Sequence, residues 1–286
     1  MIERARSVVS GGVRLAVRDH GGDGPPLLCI HGLASSSHIF DLVTPLVAGE
    51  FHVVSYDQRG HGESAKPSSG YGFERTAADA AAVVRALRLR GPIVLGHSWG
   101  ANVALELAVR HPIAVGALVL LDGGFLSMRE RMDWRTTKAT LAPPPIAGLH
   151  IDEYLGMLRQ FMGGSLDVTP EVEAVFRSLM RVDGEGRIRP RLSRGNHLKI
   201  LRALWAQDPP ALLRMVRVPT AVVATRRSDA AETDAMFIAA KELGERPVRE
   251  IGDPVRFEWM EGIHDVPLQR PEAVADLVRR VAKELP

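Results

Sequence analysis

The chain has 286 residues, enough for one large domain with an insertion or for two small ones. Hydrophobic residues make up 45% and charged residues 24%, an ordinary globular balance, and 36 basic against 34 acidic residues leave a net charge of +2 with no basic tract interleaved with aromatics to grip nucleic acid. Cys29 is the only cysteine, which excludes an internal disulfide and points to a reducing compartment.

Residues 1–10 alternate charges with valines and lack the roughly 7 to 15 residue apolar core of a signal peptide. No run approaches the ~18 apolar residues that cross a bilayer. A soluble, cytoplasmic protein with no membrane partner is expected, as a monomer or homodimer. Cys29 lies inside an apolar run and reads as a packed strand residue.

Residues 6–9 and 13–18 alternate around Ser10-Gly11-Gly12, which predicts an opening β-hairpin. Residues 27–30 form a short, wholly apolar strand of the kind buried on both faces, and it ends in His31-Gly32-Leu33-Ala34-Ser35. A helix is expected from about 38 to 47, a strand over 51–56, an alanine-rich helix over 73–89 and a strand over 93–95. Next come a helix over 101–110 and a strand over 117–121 that ends at Asp122-Gly123-Gly124. Strand and helix alternating at this spacing imply a parallel sheet with helices on both faces.

The rhythm breaks after Gly124. Residues 125–208 show helical segments near 127–140, 152–162, 170–182 and 194–206, a Pro143-Pro144-Pro145 loop, and no strand-like run. They read as a helical cap inserted into a core formed by 1–124 and 209–286. The basic run Arg187 to Arg194 reads as a solvated loop. Sheet rhythm resumes over 220–225, with a helix near 232–243, a strand over 256–259 and a closing helix over 271–284.

The chemistry concentrates at Gly96-His97-Ser98-Trp99-Gly100, between an apolar strand and a helix. A serine held in a tight strand-to-helix turn by flanking glycines is a nucleophile elbow, with its hydroxyl raised at a helix N-terminus that favours developing negative charge. Serine alone is a weak nucleophile, so a base and an orienting acid must stand beside it.

His31-Gly32, the turn Asp57-Gln58-Arg59-Gly60-His61-Gly62-Glu63-Ser64, the Ser98 elbow and Gly262-Ile263-His264-Asp265, in that order, resemble the signature set of the α/β-hydrolase superfamily. The resemblance covers nearly the whole chain apart from the cap, and implies the α/β-hydrolase fold and a serine hydrolase of carboxylesterase type. His264 is then the base, the backbone NH groups of Leu33 and Trp99 form the oxyanion hole, and His31 has an orienting, hydrogen-bonding role near substrate. The Asp57 to Ser64 turn is expected to be structural.

The acid stays open between two residues. The superfamily usually places an aspartate in the loop after the seventh strand, where Asp229 stands; here Thr225 replaces the usual glycine and Asp229 arrives one position late. Asp122, at the end of the sixth strand, is the rival, and Asp234 and Glu232 follow. In the cap, Phe125, Trp134, Leu158, Phe161, Met162, Phe176 and Trp205 recur at helical spacings; most are expected to pack the cap, and together they suggest an apolar pocket over Ser98 that suits a small-molecule ester, with Phe125, Trp134, Met162 and Trp205 the candidates for touching it.

No Cys or His cluster has zinc-ligand spacing and no Gly-x-x-x-x-Gly-Lys loop occurs, so neither a metal nor another cofactor is expected. A serine at the elbow argues against dehalogenase or epoxide-hydrolase chemistry, which the superfamily runs from an aspartate there. A C–C bond hydrolase, lactonase, aminopeptidase or perhydrolase would keep the same residues, as would a slow-turnover ligand receptor. Hydroxynitrile-lyase chemistry would need a lysine over the pocket, for which the cap offers Lys138 and Lys199.

Overall fold

The computed structural model describes residues 4–228 and 232–285, apart from the side chains at 232–234. The opening hairpin pairs β1 (Arg4–Ser10) with β2 (Val13–Gly21) across Gly11 and Gly12. Both glycines have positive φ, 52° and 78°, as a two-residue turn that follows strand twist requires. The chain then runs through β3 (Pro26–Ile30), α1 (Thr44–Val47), β4 (His52–Tyr56), α2 (Phe73–Ala86), β5 (Ile93–His97), α3 (Trp99–Arg110) and β6 (Ala117–Leu121).

Between β6 and the next strand of the main sheet lie α4 (Trp134–Leu141), α5 (Ile151–Met162), α6 (Pro170–Ser178), β7 (Met180–Val182), β8 (Ile188–Pro190), α7 (Arg194–Ala206) and α8 (Pro209–Leu213). The main sheet resumes with β9 (Thr220–Arg226), followed by α9 (Glu232–Arg249), β10 (Val255–Glu261), α10 (Val266–Gln269) and α11 (Pro271–Ala282).

Eight strands form one sheet in the order β1-β2-β4-β3-β5-β6-β9-β10. The first two join antiparallel and the other six are mutually parallel. Burial explains the wholly apolar strands. Leu28, Ile30, Val94, Leu118, Leu120 and Val222 face a layer completed by α2 and α3, whereas Leu27, Cys29, Ile93, Leu95, Val119 and Val223 face a second layer with α11 and part of the insertion. The strict period of two divides each strand between two cores. Cys29 is sealed in the second, and burial pushes its thiol well above the ordinary range.

Two expectations require correction. The helix expected over 38–47 is instead a 3₁₀ turn, Ser37–Phe40, followed by the single turn of α1. Pro45 near the start of α1 has no NH to donate to a preceding turn, which disfavours one continuous helix through it. The insertion also contains strands: β7 and β8 pair antiparallel, and the helix expected to reach residue 182 stops at Ser178. Three-residue strands are too short for a two-residue period to register, and part of the basic run lies in β8.

The parallel strands run in step, which positions everything that follows. His97 pairs with Leu121, Leu121 with Val223, and Thr225 with Met260. The residues just beyond β5, β6, β9 and β10 therefore emerge side by side at the carboxyl edge of the sheet, where open α/β sheets bind their ligands.

Candidate active site

Ser98 follows β5 with φ 55° and ψ −123°, a region costly for a residue with a side chain. The Ser98 amide donates to Leu121 O at 2.8 Å, tying the turn to the neighbouring strand. The glycines are there because nothing larger fits: a Cβ on Gly96 would overlap the Gly100 carbonyl oxygen, and one on Gly100 would overlap that of Ile30. The strain thus arises where β3, β5 and α3 crowd together, and it leaves Ser98 at the N-terminus of α3.

Ser98 Oγ lies 3.0 Å from His264 Nε2, and His264 Nδ1 lies 2.6 Å from Asp122 Oδ2. Since the carboxylate can only accept, Nδ1 carries a proton and the neutral ring presents a bare Nε2 to the Ser98 hydroxyl. His264 stands in the turn after β10 with its side chain half exposed, at 53%, whereas Asp122 is fully buried. Asp122 also has positive φ, 50°, and its amide donates to Val223 O at 2.7 Å. Both ends of this three-residue chain therefore sit on strained, strand-anchored turns.

Asp122 has further partners that no sequence motif signals. Oδ1 accepts from Thr225 N at 2.8 Å, and Lys241 Nζ from α9 lies 2.8 Å from Oδ1 and 2.9 Å from Oδ2. The same ammonium donates to Thr225 O at 2.8 Å and Thr225 Oγ1 at 3.1 Å. Burial alone would raise the Asp122 pKa, but the hydrogen bond and charge of His264, with those of Lys241, hold it well below the ordinary carboxylate range. For His264, desolvation pulls downward and is outweighed by Asp122, so its pKa lies above the ordinary histidine value.

Other histidines brace the site. His97 Nε2–H donates to the His264 carbonyl at 2.8 Å, and burial, with the nearby charge of His264, pushes its pKa down to about 4. His61 donates from Nδ1 to Arg59 O at 3.0 Å, accepts the Ala34 amide at Nε2 over 3.2 Å and stacks on Trp99 at 5.4 Å. Asp57 accepts the amides of Ser37 and Glu63, each at 2.8 Å, and Arg59 pairs with buried Asp79 at 2.6 Å and 2.8 Å. The turn from Asp57 to Ser64 is thus a frame for the 31–35 loop.

That loop lies against Ser98: a Cβ on Gly32 would stand 3.0 Å from Ser98 Cβ. Among the described residues, no protein acceptor takes the amide of Leu33 or that of Trp99. His31, expected near substrate, is instead fully buried: its Nδ1–H donates to Gly32 O at 2.8 Å and its Nε2 accepts Gln58 N at 2.9 Å. Both ring nitrogens are committed to the fold, and burial lowers its pKa.

An apolar cavity of about 420 Å³ opens beside this loop, between Ala34, Ser35 and His61 on the core side and Ile146, Tyr154, Leu158, Phe161, Met180 and Leu192 on the insertion. Of the expected contributors, Leu158 and Phe161 line it, whereas Phe125, Trp134, Met162 and Trp205 do not. Phe125 is buried edge-on against Phe257 at 5.6 Å, and Trp134 and Trp205 contact each other at 6.2 Å with Arg202 over both rings. Met162 packs against the second core layer. Aromatic residues at helical spacing have packed the insertion onto itself and onto the core. Lys199 is held by Ser68 O and by Asn196 Oδ1 at 3.3 Å, so the lysine that reaches the site comes from the core helix α9. Asp229 lies outside the described residues, as do the side chains of Glu232 and Asp234.

Residues 25–144 match the family model for the alpha/beta hydrolase fold. The crystal structure of E-2-(acetamidomethylene)succinate hydrolase superposes with a TM-score of 0.80 at 24% identity, over 99% of this chain and 100% of that one. The chain has the α/β-hydrolase fold. Among its relatives, 2-(acetamidomethylene)succinate hydrolase of Mesorhizobium japonicum is 27% identical over 248 residues, 85% of each chain. A fluoroacetate dehalogenase of Burkholderia is 36% identical over 107 residues, 36% of this chain and 35% of its own length. The enol-lactonase of Burkholderia xenovorans shares the fold at a TM-score of 0.73 and 17% identity, over 98% of this chain and 100% of the lactonase. Among the described residues, no helix is long and apolar enough to cross a membrane.

Proposed function

We propose that this chain is a serine hydrolase of the α/β-hydrolase superfamily that cleaves a small, largely apolar carboxylic ester through an acyl-enzyme on Ser98. One observation carries the reading: the continuous hydrogen-bonded chain from Ser98 Oγ through His264 to Asp122. Ser98 Oγ attacks the ester carbonyl carbon as His264 Nε2 takes the hydroxyl proton. The carbonyl oxygen becomes an oxyanion held by the amides of Leu33 and Trp99. Collapse expels the alcohol, which receives the proton from His264. Water, deprotonated by His264, then attacks the acyl carbon and frees the acid and Ser98. Asp122 orients the imidazole and stabilises the imidazolium while it exists.

The insertion acts as the cap, and the cavity beneath it receives the apolar part of the ester. A second reading has support from the Mesorhizobium relative, whose name describes hydrolysis of an acetamido-substituted succinate. Such a substrate carries two carboxylates. The cationic group lining the cavity here, Arg191, is already paired with Glu63 at 2.6 Å and donates to Met180 O at 3.1 Å. The apolar walls favour an uncharged ester.

The test is a hydrolysis panel of p-nitrophenyl esters, lactones, acetamides and vinylogous diketones, together with labelling by a fluorophosphonate. Ester turnover above ~1 s⁻¹ with labelling at Ser98 supports the reading. Labelling that persists in Ser98→Ala removes it, and rapid acylation without turnover would leave a ligand receptor.

A further inference from the structure

Asp122 is bound more heavily than orienting a histidine requires. A single acceptor for His264 Nδ1–H would suffice, yet an ammonium also bridges both carboxylate oxygens. Lys241 is itself only 15% exposed, and it is held in place by the carbonyl and hydroxyl of Thr225. This is the residue that stands where the superfamily pattern would have a glycine. A glycine there would supply the carbonyl but not the hydroxyl.

Among the described residues, removing the lysine would leave His264 as the cationic partner of the buried Asp122 carboxylate. Such a pair favours the imidazolium, and an imidazolium cannot accept the Ser98 proton. The groups facing His264 are Asp122 from the end of β6, Lys241 from α9, His97 from β5 and Asp265 from its own turn. With its pKa pushed down to about 4, His97 is neutral over the working range. Lys241 is then the one permanent cation in this set.

We infer that Lys241 is a positioning residue for the proposed reaction: it fixes the Asp122 carboxylate and neutralises it, so that the His264 imidazole stays unprotonated and ready to accept the Ser98 proton near neutral pH. The catalytic consequence rests on the serine-hydrolase reading, whereas the effect on the protonation of His264 does not.

The experiment compares the intact protein with Lys241→Met, Lys241→Gln and Lys241→Arg by two readouts: NMR titration of the His264 imidazole, and the pH profile of kcat/KM with p-nitrophenyl acetate. In the two neutral variants the His264 titration and the acidic limb should move up together by about one pH unit, the order expected for loss of a unit charge a few ångströms away. The alkaline plateau should be largely kept, and Lys241→Arg should return the limb towards its original place. Where the neutral variants do not fold, Thr225→Val loosens the ammonium without leaving a charge unpaired, and a smaller shift in the same direction is expected. An unmoved titration in any folded neutral variant, or an equal loss at every pH, overturns the inference. A shifted titration in a protein with no serine-dependent hydrolysis would sink the proposed function and leave the role of Lys241 standing.

Discussion

Gly123 packs so closely against Ser98 that a Cβ at position 123 would overlap the serine's carbonyl oxygen. The turn after β6 and the turn after β5 are therefore interlocked through backbone, just beyond Asp122 and at Ser98. Gly123→Ala must open this contact. It should cost about 2–4 kcal/mol of stability, read from the urea midpoint, and slow fluorophosphonate labelling of Ser98. Unchanged stability and labelling would show that the two turns can separate freely.

Asp122→Asn and Asp229→Asn should behave differently. Asparagine at 122 keeps the shape but removes the charge and the acceptor that fix the His264 tautomer, so turnover should fall by on the order of 10⁴. Asp229→Asn should keep near-normal turnover. Steady-state ester hydrolysis decides, and a severe loss at 229 with a mild one at 122 would reassign the acid.

The pH dependence has two parts. His264 must be neutral to accept a proton, and its pKa lies above the ordinary value, so kcat/KM should rise with pH along a limb centred above about 6.5. Stability runs separately. His31, His61 and His97 are buried with lowered pKa values, that of His97 at about 4, so below about 6.5 the unfolded chain binds protons that the folded chain does not. Their contribution is complete above that pH and is lost as the pH falls towards the folded values. The raised pKa of His264 opposes this, stabilising the fold below about 6.5 and losing that contribution as the pH rises through its folded value. Urea midpoints should therefore drop on acidification from pH ~6.5, and His97→Gln, which keeps an NH donor for the His264 carbonyl, should show a shallower drop. Equal slopes would mean that His97 protonates as readily folded as unfolded.

Leu192→Trp should fill part of the apolar cavity and lower kcat/KM for long acyl esters by roughly tenfold or more, with acetate esters little changed. Trp134→Ala and Trp205→Ala should instead lower the melting temperature and leave chain-length preference alone, because these rings pack against each other and Arg202. A preference change in either tryptophan variant would bring the pair back into the substrate path.

Much of the fold is legible in the sequence because its signals are local. The wholly apolar runs ending at Ile30, Leu95 and Leu121 are short and bounded by turn residues, as strands buried on both faces are, and the glycines around Ser98 mark a turn with no room for side chains. The acid is a different problem. Asp122 and Asp229 both follow strands, and what separates them is a contact 142 residues away, between His264 and Asp122. Lys241 is invisible for the same reason, since no spacing within α9 distinguishes it from a solvated lysine. The insertion misleads because a tryptophan that packs its own helices has the same periodicity as one that faces a ligand.

The strand pairing His97 with Leu121 and Leu121 with Val223 places Ser98, Asp122 and Thr225 on three neighbouring strand ends, so their separations are multiples of the interstrand repeat. That repeat is set by backbone hydrogen bonds of fixed length and is indifferent to side chains elsewhere. Ser98 and Asp122 thus share a ruler that substitutions in the insertion cannot stretch. Sequence drift around the cavity can change what fits there while the backbone spacing between these two strand ends stays the same.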